Sequence, residues 1–281
     1  MEGTRFMPLG RGVLLTGATG LLGQYLLKDL LLKAVPVTVL VRDSKKNPAS
    51  QRISQIIGDW ETRLGQKLPQ PSVLCGELGQ KNLGLTPTDK LWVSRNCQSV
   101  IHSAANLSFR QTPDGEPWKS NVEGTACLID FCKSAGLTEW HHISTAFVCG
   151  KRTGIISESD LDHCQEFNNS YEASKFEAEK LLRGTNGINP TVYRPSVIVG
   201  DSKTGHTTTF TGLYRFCEMA IRLSRLPPIQ TKKNKEPVNL RIPLNGDELW
   251  NVVPVDWVSK AIIRLWSQPH SCLLYTSPSP R

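Results

Sequence analysis

The segment Gly12-Val-Leu-Leu-Thr-Gly-Ala-Thr-Gly-Leu-Leu-Gly23 constrains the fold of this chain more than any other. A short apolar run, Gly12 to Leu15, reads as a strand, and a leucine-rich stretch from Leu21 to Leu32 repeats at helical spacing. Between them stand glycines, each with a task in a β–α unit that binds a dinucleotide. Gly17 permits the sharp turn, Gly20 lets the backbone approach a pyrophosphate with no Cβ in the way, and Gly23 lets the helix pack against the strand. The free N–H groups and positive dipole end of the helix then face the phosphates. Gly17, Thr19, Gly20, Leu21, Leu22 and Gly23 together form the candidate cradle. Three glycines at this spacing also occur in ordinary tight turns, so the flanking strand and helix carry much of the weight.

The next apolar run, Val37-Thr-Val-Leu-Val41, ends in Arg42. An acidic residue at that distance from a glycine turn would bond the 2′-hydroxyl of an NAD ribose, whereas the planar fork of an arginine can grip a 2′-phosphate. Asp43 follows immediately. On balance Arg42 favours NADP over NAD; the blander reading of Arg42, Lys45 and Lys46 is a solvated basic loop.

Far along the chain, Tyr171-Glu-Ala-Ser-Lys175 opens a stretch to Leu182 rich in strong helix formers. Four residues apart, Tyr171 and Lys175 share one helix face. A phenol is a usable acid near neutrality, and a neighbouring ammonium is expected to lower its pKa. The same lysine can hold the hydroxyls of a nicotinamide ribose. Asn169 and Glu172 read as caps of this helix. Upstream, the strand-like Trp140 to Phe147 carries Ser144 and Thr145, and either could leave a hydroxyl at the carboxyl end of a strand, the edge where open α/β sheets bind ligands. Such a hydroxyl can bond a substrate carbonyl and stabilise charge as it develops.

Strand-like runs near Val13, Val39, Val73, Val100, Ile143 and Val192 alternate with helical or irregular stretches, which predicts an α/β fold with a doubly wound parallel sheet of Rossmann type. Right-handed crossovers would bring the glycine turn, Ser103, Thr145 and Pro195 to one sheet edge. The expected organisation is a dinucleotide-binding domain with the catalytic helix over 10–200, a small, truncated substrate lobe over 201–245 with a helix from Leu213, and a return to the main body over 246–270. The final stretch, 271–281, lacks periodicity and reads as a foreign or irregular tail.

At 281 residues and 39% hydrophobic content the chain can bury a core of this size. The net charge of +8 invites a nucleic-acid reading, but the basic residues are dispersed apart from Lys232-Lys-Asn-Lys235, and no nucleic-acid partner is expected. The eight cysteines show neither CxxC nor Cys/His metal spacing, so no metal is expected and most should be buried thiols. No signal pattern and no run long enough to span a bilayer appear, which makes cytoplasm the expected compartment.

Four strings in order, TGATGLLG, STAFVCG, YEASK and Arg194-Pro-Ser-Val-Ile-Val-Gly200, resemble the extended short-chain dehydrogenase/reductase superfamily. Gly76-Glu-Leu78, Asn82-Leu-Gly-Leu85 and RPSVIVGDSKTG resemble more closely its thioester-reductase or fatty-acyl-reductase-like branch, with a male-sterility-type NAD-binding domain. The resemblance runs from about Leu14 to Trp266. It implies Thr145, Tyr171 and Lys175 as catalytic residues, the last two also touching the cofactor. It further implies that Leu78 touches the adenine, that Ser103, Ala104 and Ala105 make room for phosphates and ribose, that Pro195 lines the nicotinamide end, and that Asn121 either supports that end or packs helices. The implied function is NADPH-dependent reduction of a carbonyl or thioester carbonyl, on a small-molecule, coenzyme A-bound or carrier-bound acyl group. Ala146 and Phe147 after Thr145 favour a lipid-like substrate over that of a sugar-nucleotide epimerase or dehydratase. A hydroxysteroid-type dehydrogenase and a non-catalytic dinucleotide-binding protein are the other readings.

Overall fold

The computed structural model describes residues 12–210, 212–224, 250–268 and 275–276. At the centre lies β1 (Gly12–Thr16), buried along its whole length. Its side chains alternate between two cores: Val13 and Leu15 face one, Leu14 the other. A strand apolar on both faces belongs in the middle of a parallel sheet covered by helices on each side.

The sheet grows outward by crossovers through α1 (Leu21–Leu32) to β2 (Val37–Val41) and through α2 (Ala49–Leu64) to β3 (Ser72–Cys75). The chain then crosses back through α3 (Pro87–Asn96) to β4 (Cys97–His102) on the other side of β1. From there α4 (Gly124–Ala135), β5 (Glu139–Ile143), α5 (Ser170–Arg183) and β6 (Asn189–Arg194) continue the parallel order. The strand order β3-β2-β1-β4-β5-β6 reverses direction between β1 and β4, and at such a switch point the loops diverge and leave a crevice. The doubly wound parallel sheet read from the strand-like runs is therefore the observed fold, and each expected run falls in one of the first six strands.

Beyond β6, β7 (Val197–Val199) pairs in parallel with β8 (Val252–Pro254) as a separate two-stranded sheet. The helix α6 (Leu213–Ser224), which starts at the expected Leu213, lies between them in sequence, and residues 225–249 lie outside the described residues. Among these are the Lys232–Lys235 cluster and the rest of residues 225–245 of the stretch assigned to a substrate lobe. The helix α7 (Val255–Trp266) packs on α1, with Val255, Val258, Ile262 and Ile263 completing the core on that face. Of the expected tail only β9 (Tyr275–Thr276) is described, and it pairs in parallel with Tyr193 and Arg194 of β6.

One local expectation is corrected. The strand expected over Trp140 to Phe147 stops short, because β5 ends at Ile143. The Thr145 hydroxyl accepts a hydrogen bond from the Phe147 amide at 3.3 Å and starts a tight helical turn over Ala146–Cys149. Gly150 closes that turn at φ +59°, a conformation that favours glycine.

Candidate active site

The crevice at the switch point holds two adjoining cavities that share the glycine turn. The first, about 630 Å³, is walled by Gly20, Thr145, Tyr171, Lys175 and Pro195, and Leu21, Leu22 and Gly23 also reach it. The second, about 300 Å³, runs from Thr19 and Ala104 to Arg42, Arg52, Glu77 and Leu78. Gly17, Gly20, Ser103 and Ala105 border both. Every residue singled out in the sequence as catalytic or cofactor-binding thus lines one continuous groove.

The groove fits a dinucleotide. A side chain at Gly17, where φ is +75°, would collide with the Ser103 and Ala104 backbone, and one at Gly23 would collide with the Gly17 carbonyl. A Cβ at Gly20 would meet nothing closer than 3.4 Å, so the space above that residue belongs to the groove, and the start of α1 opens toward it. This is the shape a pyrophosphate needs against a helix N-terminus. Arg42 stands at the far end, 72% exposed and 3.5 Å from the Glu77 carboxylate. Sequence reading missed Arg52, which donates to the Arg42 carbonyl at 2.8 Å and lines the same cavity. Its position in the first turn of the helix after β2 was the available signal, because that turn always faces the ligand-binding edge.

The other end of the groove is held by α5. Asn169 caps that helix, accepting from the Glu172 amide at 3.0 Å, while Glu172 Oε1 accepts from Asn169 Nδ2 at 3.0 Å. Tyr171 and Lys175 therefore project from its first two turns toward β5. Burial pushes the Tyr171 hydroxyl up to about 12, with the Thr145 hydroxyl beside it pulling the other way and the Glu172 carboxylate adding to the rise. The expected lowering by the ammonium is not what governs this phenol. Lys175 Nζ donates to the Ile143 carbonyl at 2.7 Å and lies 3.3 Å from His142 Nε2. Burial brings Lys175 down to about 8, against an upward pull from Glu179.

Buried groups behind the groove fix its walls. Glu179, one turn beyond Lys175, accepts from Ser144 Oγ at 2.8 Å and from Arg194 Nη2 and Nε at 2.6 and 3.1 Å. Ser144 is thus committed to the support of β5, leaving Thr145 as the hydroxyl on the cavity side. Asn121 accepts from the Asn106 amide at 2.8 Å and donates to the Asn106 carbonyl at 3.0 Å and to Ser174 Oγ at 2.9 Å. It ties the loop after β4 to α5. His102 bridges Thr16 Oγ1 at 2.7 Å and Thr125 Oγ1 at 3.1 Å, and burial together with the Lys175 charge depresses it to about 3. Among the described residues no helix is long and apolar enough to cross a membrane.

A doubly wound sheet with this glycine turn and a Tyr-x-x-x-Lys helix beside it defines an NAD(P)-binding protein of the extended short-chain dehydrogenase/reductase class. The chain belongs to the NAD-binding family described as Male sterility protein, whose model matches residues 15–262. It is 25% identical to the L-2-aminoadipate reductase large subunit of Candida glabrata over 98% of this chain and 20% of that protein. The terminal R domain from the myxalamid PKS-NRPS biosynthetic pathway superposes with a TM-score of 0.77 at 28% identity, covering 98% of this chain and 66% of that one. A thiolation-reductase di-domain from an archaeal non-ribosomal peptide synthetase has the same fold, with a TM-score of 0.73 at 21% identity over 96% of this chain and 56% of that one. The chain spans about a fifth of the length of the first curated relatives it matches.

Proposed function

We propose that this chain is an NADPH-dependent reductase of acyl thioesters held on coenzyme A or on a carrier protein, with Thr145, Tyr171 and Lys175 as its catalytic residues. The observation that carries the reading is the convergence of those three side chains on one cavity that apolar residues also line, Leu107, Phe109, Phe147 and Val197 among them. An apolar wall suits an acyl chain; a sugar would ask for paired polar contacts. The names of the relatives agree: one is an aminoadipate reductase and another a reductase fused to a thiolation domain.

When bound, NADPH supplies a hydride to the carbonyl carbon. Thr145 and Tyr171 hold the carbonyl oxygen, and the Tyr171 hydroxyl, still protonated at neutral pH because burial holds it near 12, donates the proton that oxygen needs. Lys175, on the same helix face, holds the ribose hydroxyls. The resulting hemithioacetal collapses to an aldehyde and a free thiol. At the other end Arg42 and Arg52 present two guanidinium forks at the rim of the cavity that Leu78 lines, which favours a 2′-phosphate.

The test is a stoichiometry. The chain is mixed with NADPH and acyl-coenzyme A or an acyl-loaded carrier protein, and thiol release is measured against NADPH oxidation. One thiol per NADPH consumed in the first reduction is expected. No thiol from any thioester, together with turnover of a sugar nucleotide in which the cofactor is recycled, overturns the reading in favour of an epimerase.

A further inference from the structure

Beneath the site, Thr16 of β1, His102 of β4 and His142 of β5 occupy paired positions on adjacent strands, so their side chains form one row across the sheet. The row ends on Lys175. His142 is fully buried. Its Nε2 lies 3.3 Å from Lys175 Nζ, and its Nδ1 is buried without a hydrogen-bond partner. A polar atom left without a partner in a core is a standing cost that an apolar side chain would not carry. The imidazole is thus kept at a position where only one of its nitrogens is used, and the group that uses it is Lys175.

We propose that His142 is a positioning residue for Lys175: together with the Ile143 carbonyl it fixes two of the three ammonium N–H directions and leaves the third for the cavity. The proposal rests on the reading of Lys175 as part of the active site. An ammonium carries three donors on a flexible stem, so two fixed acceptors are what convert a mobile charge into an aimed one. The role requires a neutral imidazole. Burial and the positive charge of Lys175 hold His142 well below its ordinary value, and His102 at 5.3 Å between ring centroids adds to this. His142 therefore accepts through Nε2. The other titratable groups near Lys175 are Glu179, which favours the charged lysine, and Tyr171, both on its own helix, and His102 on β4. His102 is fully engaged by Thr16 and Thr125 and offers Lys175 no hydrogen bond of its own.

The experiment compares His142→Phe, which keeps a flat ring but removes the acceptor, with His142→Gln, which restores one. Lys175 is titrated by NMR in protein carrying isotope-labelled lysine, its signal identified by its loss in Lys175→Arg. The wild-type midpoint is expected at about 8. In His142→Phe it should fall by about one to two pH units, the equivalent of one lost hydrogen bond to a charged group. In His142→Gln it should stay within about half a unit, because an acceptor is again present. The alkaline limb of NADPH binding, and of turnover, should move to lower pH with it. Should His142→Phe fail to fold, His142→Leu serves the same comparison. An unchanged Lys175 midpoint in a folded Phe or Leu variant overturns the proposal, as does a Gln variant shifted as far as Phe. Because the titration needs no substrate, a wild-type chain that reduces no thioester but titrates as described sinks the proposed reaction and leaves His142 in its role.

Discussion

Acid should unfold this protein through a residue that never touches substrate. Thr125 Oγ1 donates to the Asn121 carbonyl at 2.6 Å, so toward His102 it can only accept, and His102 Nε2 carries the proton. His102 Nδ1 must then accept from the Thr16 hydroxyl, whose oxygen in turn takes the Ala104 amide at 3.3 Å. A second proton on this ring would have to enter at Nδ1, break the Thr16 bond and place a charge in a site that is 1% exposed. That is the physical content of a value near 3 against an ordinary 6.5. The sign follows. Between those values the unfolded chain binds one more proton than the folded chain, so the stability contributed by this neutral histidine is complete above 6.5 and is lost as pH falls toward 3. At pH 4.5 two of those units have been crossed, about 2.7 kcal/mol at ~1.36 kcal/mol each. Urea unfolding between pH 7.5 and 4.5 measures it, with His102→Gln as control, because carboxylates contribute to the acid slope in both proteins. The wild type should lose stability more steeply than the variant by about one proton's worth, ~1.36 kcal/mol per pH unit below 6. Parallel slopes in the two proteins would refute the reasoning, whatever their absolute stabilities.

Three further outcomes are expected. Tyr171→Phe should lower turnover by roughly 10²–10⁴-fold with little change in NADPH affinity measured by fluorescence, and near-normal turnover would move the acid elsewhere. Arg42→Ala and Arg52→Ala should each weaken NADPH binding by roughly 10–100-fold and NADH binding far less, by titration calorimetry; equal losses for the two cofactors would leave NAD as the better assignment. Glu179→Ala strands the Arg194 side chain, 3% exposed, without its counter-charge and should cost about 3–5 kcal/mol in urea unfolding, whereas Glu179→Leu with Arg194→Met should recover much of that. A loss under ~1 kcal/mol for the single variant would mean that Arg194 finds another partner.

What was legible in the sequence follows physical range. Val37 to Val41 was readable as a strand because β-branched apolar residues declare both conformation and burial locally, and the structure returns the same bounds. The glycine turn and the Tyr171–Lys175 spacing were readable for the same reason: each sits within one or two turns of chain. Arg52, His102, His142 and Glu179 were not. On the page Glu179 belongs to an ordinary run of helix formers, and only its meeting with Arg194 from β6 makes it a buried carboxylate. His102 ends β4 and His142 follows His141 on β5, buried strands where a satisfied core histidine is the default; the pairing of His102 with His142 across the sheet depends on register, which no local pattern encodes. The Tyr171 error has the same root. Spacing reveals that an ammonium is near, but whether burial or that charge governs the phenol depends on what else the ammonium bonds, and here it bonds Ile143 and His142.

Those long-range contacts explain how a site assembled from scattered loops can be accurate. Tyr171, Lys175 and Glu179 follow one another at four-residue spacing along one face of α5, so a single helix presents a phenol, an ammonium and a carboxylate at increasing depth. The carboxylate is the anchor. Through Ser144 it grips the end of β5, one residue from Thr145, and through Arg194 it grips the end of β6, one residue from Pro195. The Thr145 and Tyr171 side chains are therefore held from behind by a buried ionic contact, and the loop after β4 holds the start of α5 through the Ser170 amide, which donates to the Phe109 carbonyl at 3.0 Å. In the proposed reaction, where Tyr171 donates the proton and Thr145 holds the same oxygen, such a fixed frame is what keeps both hydroxyls aimed at one substrate atom.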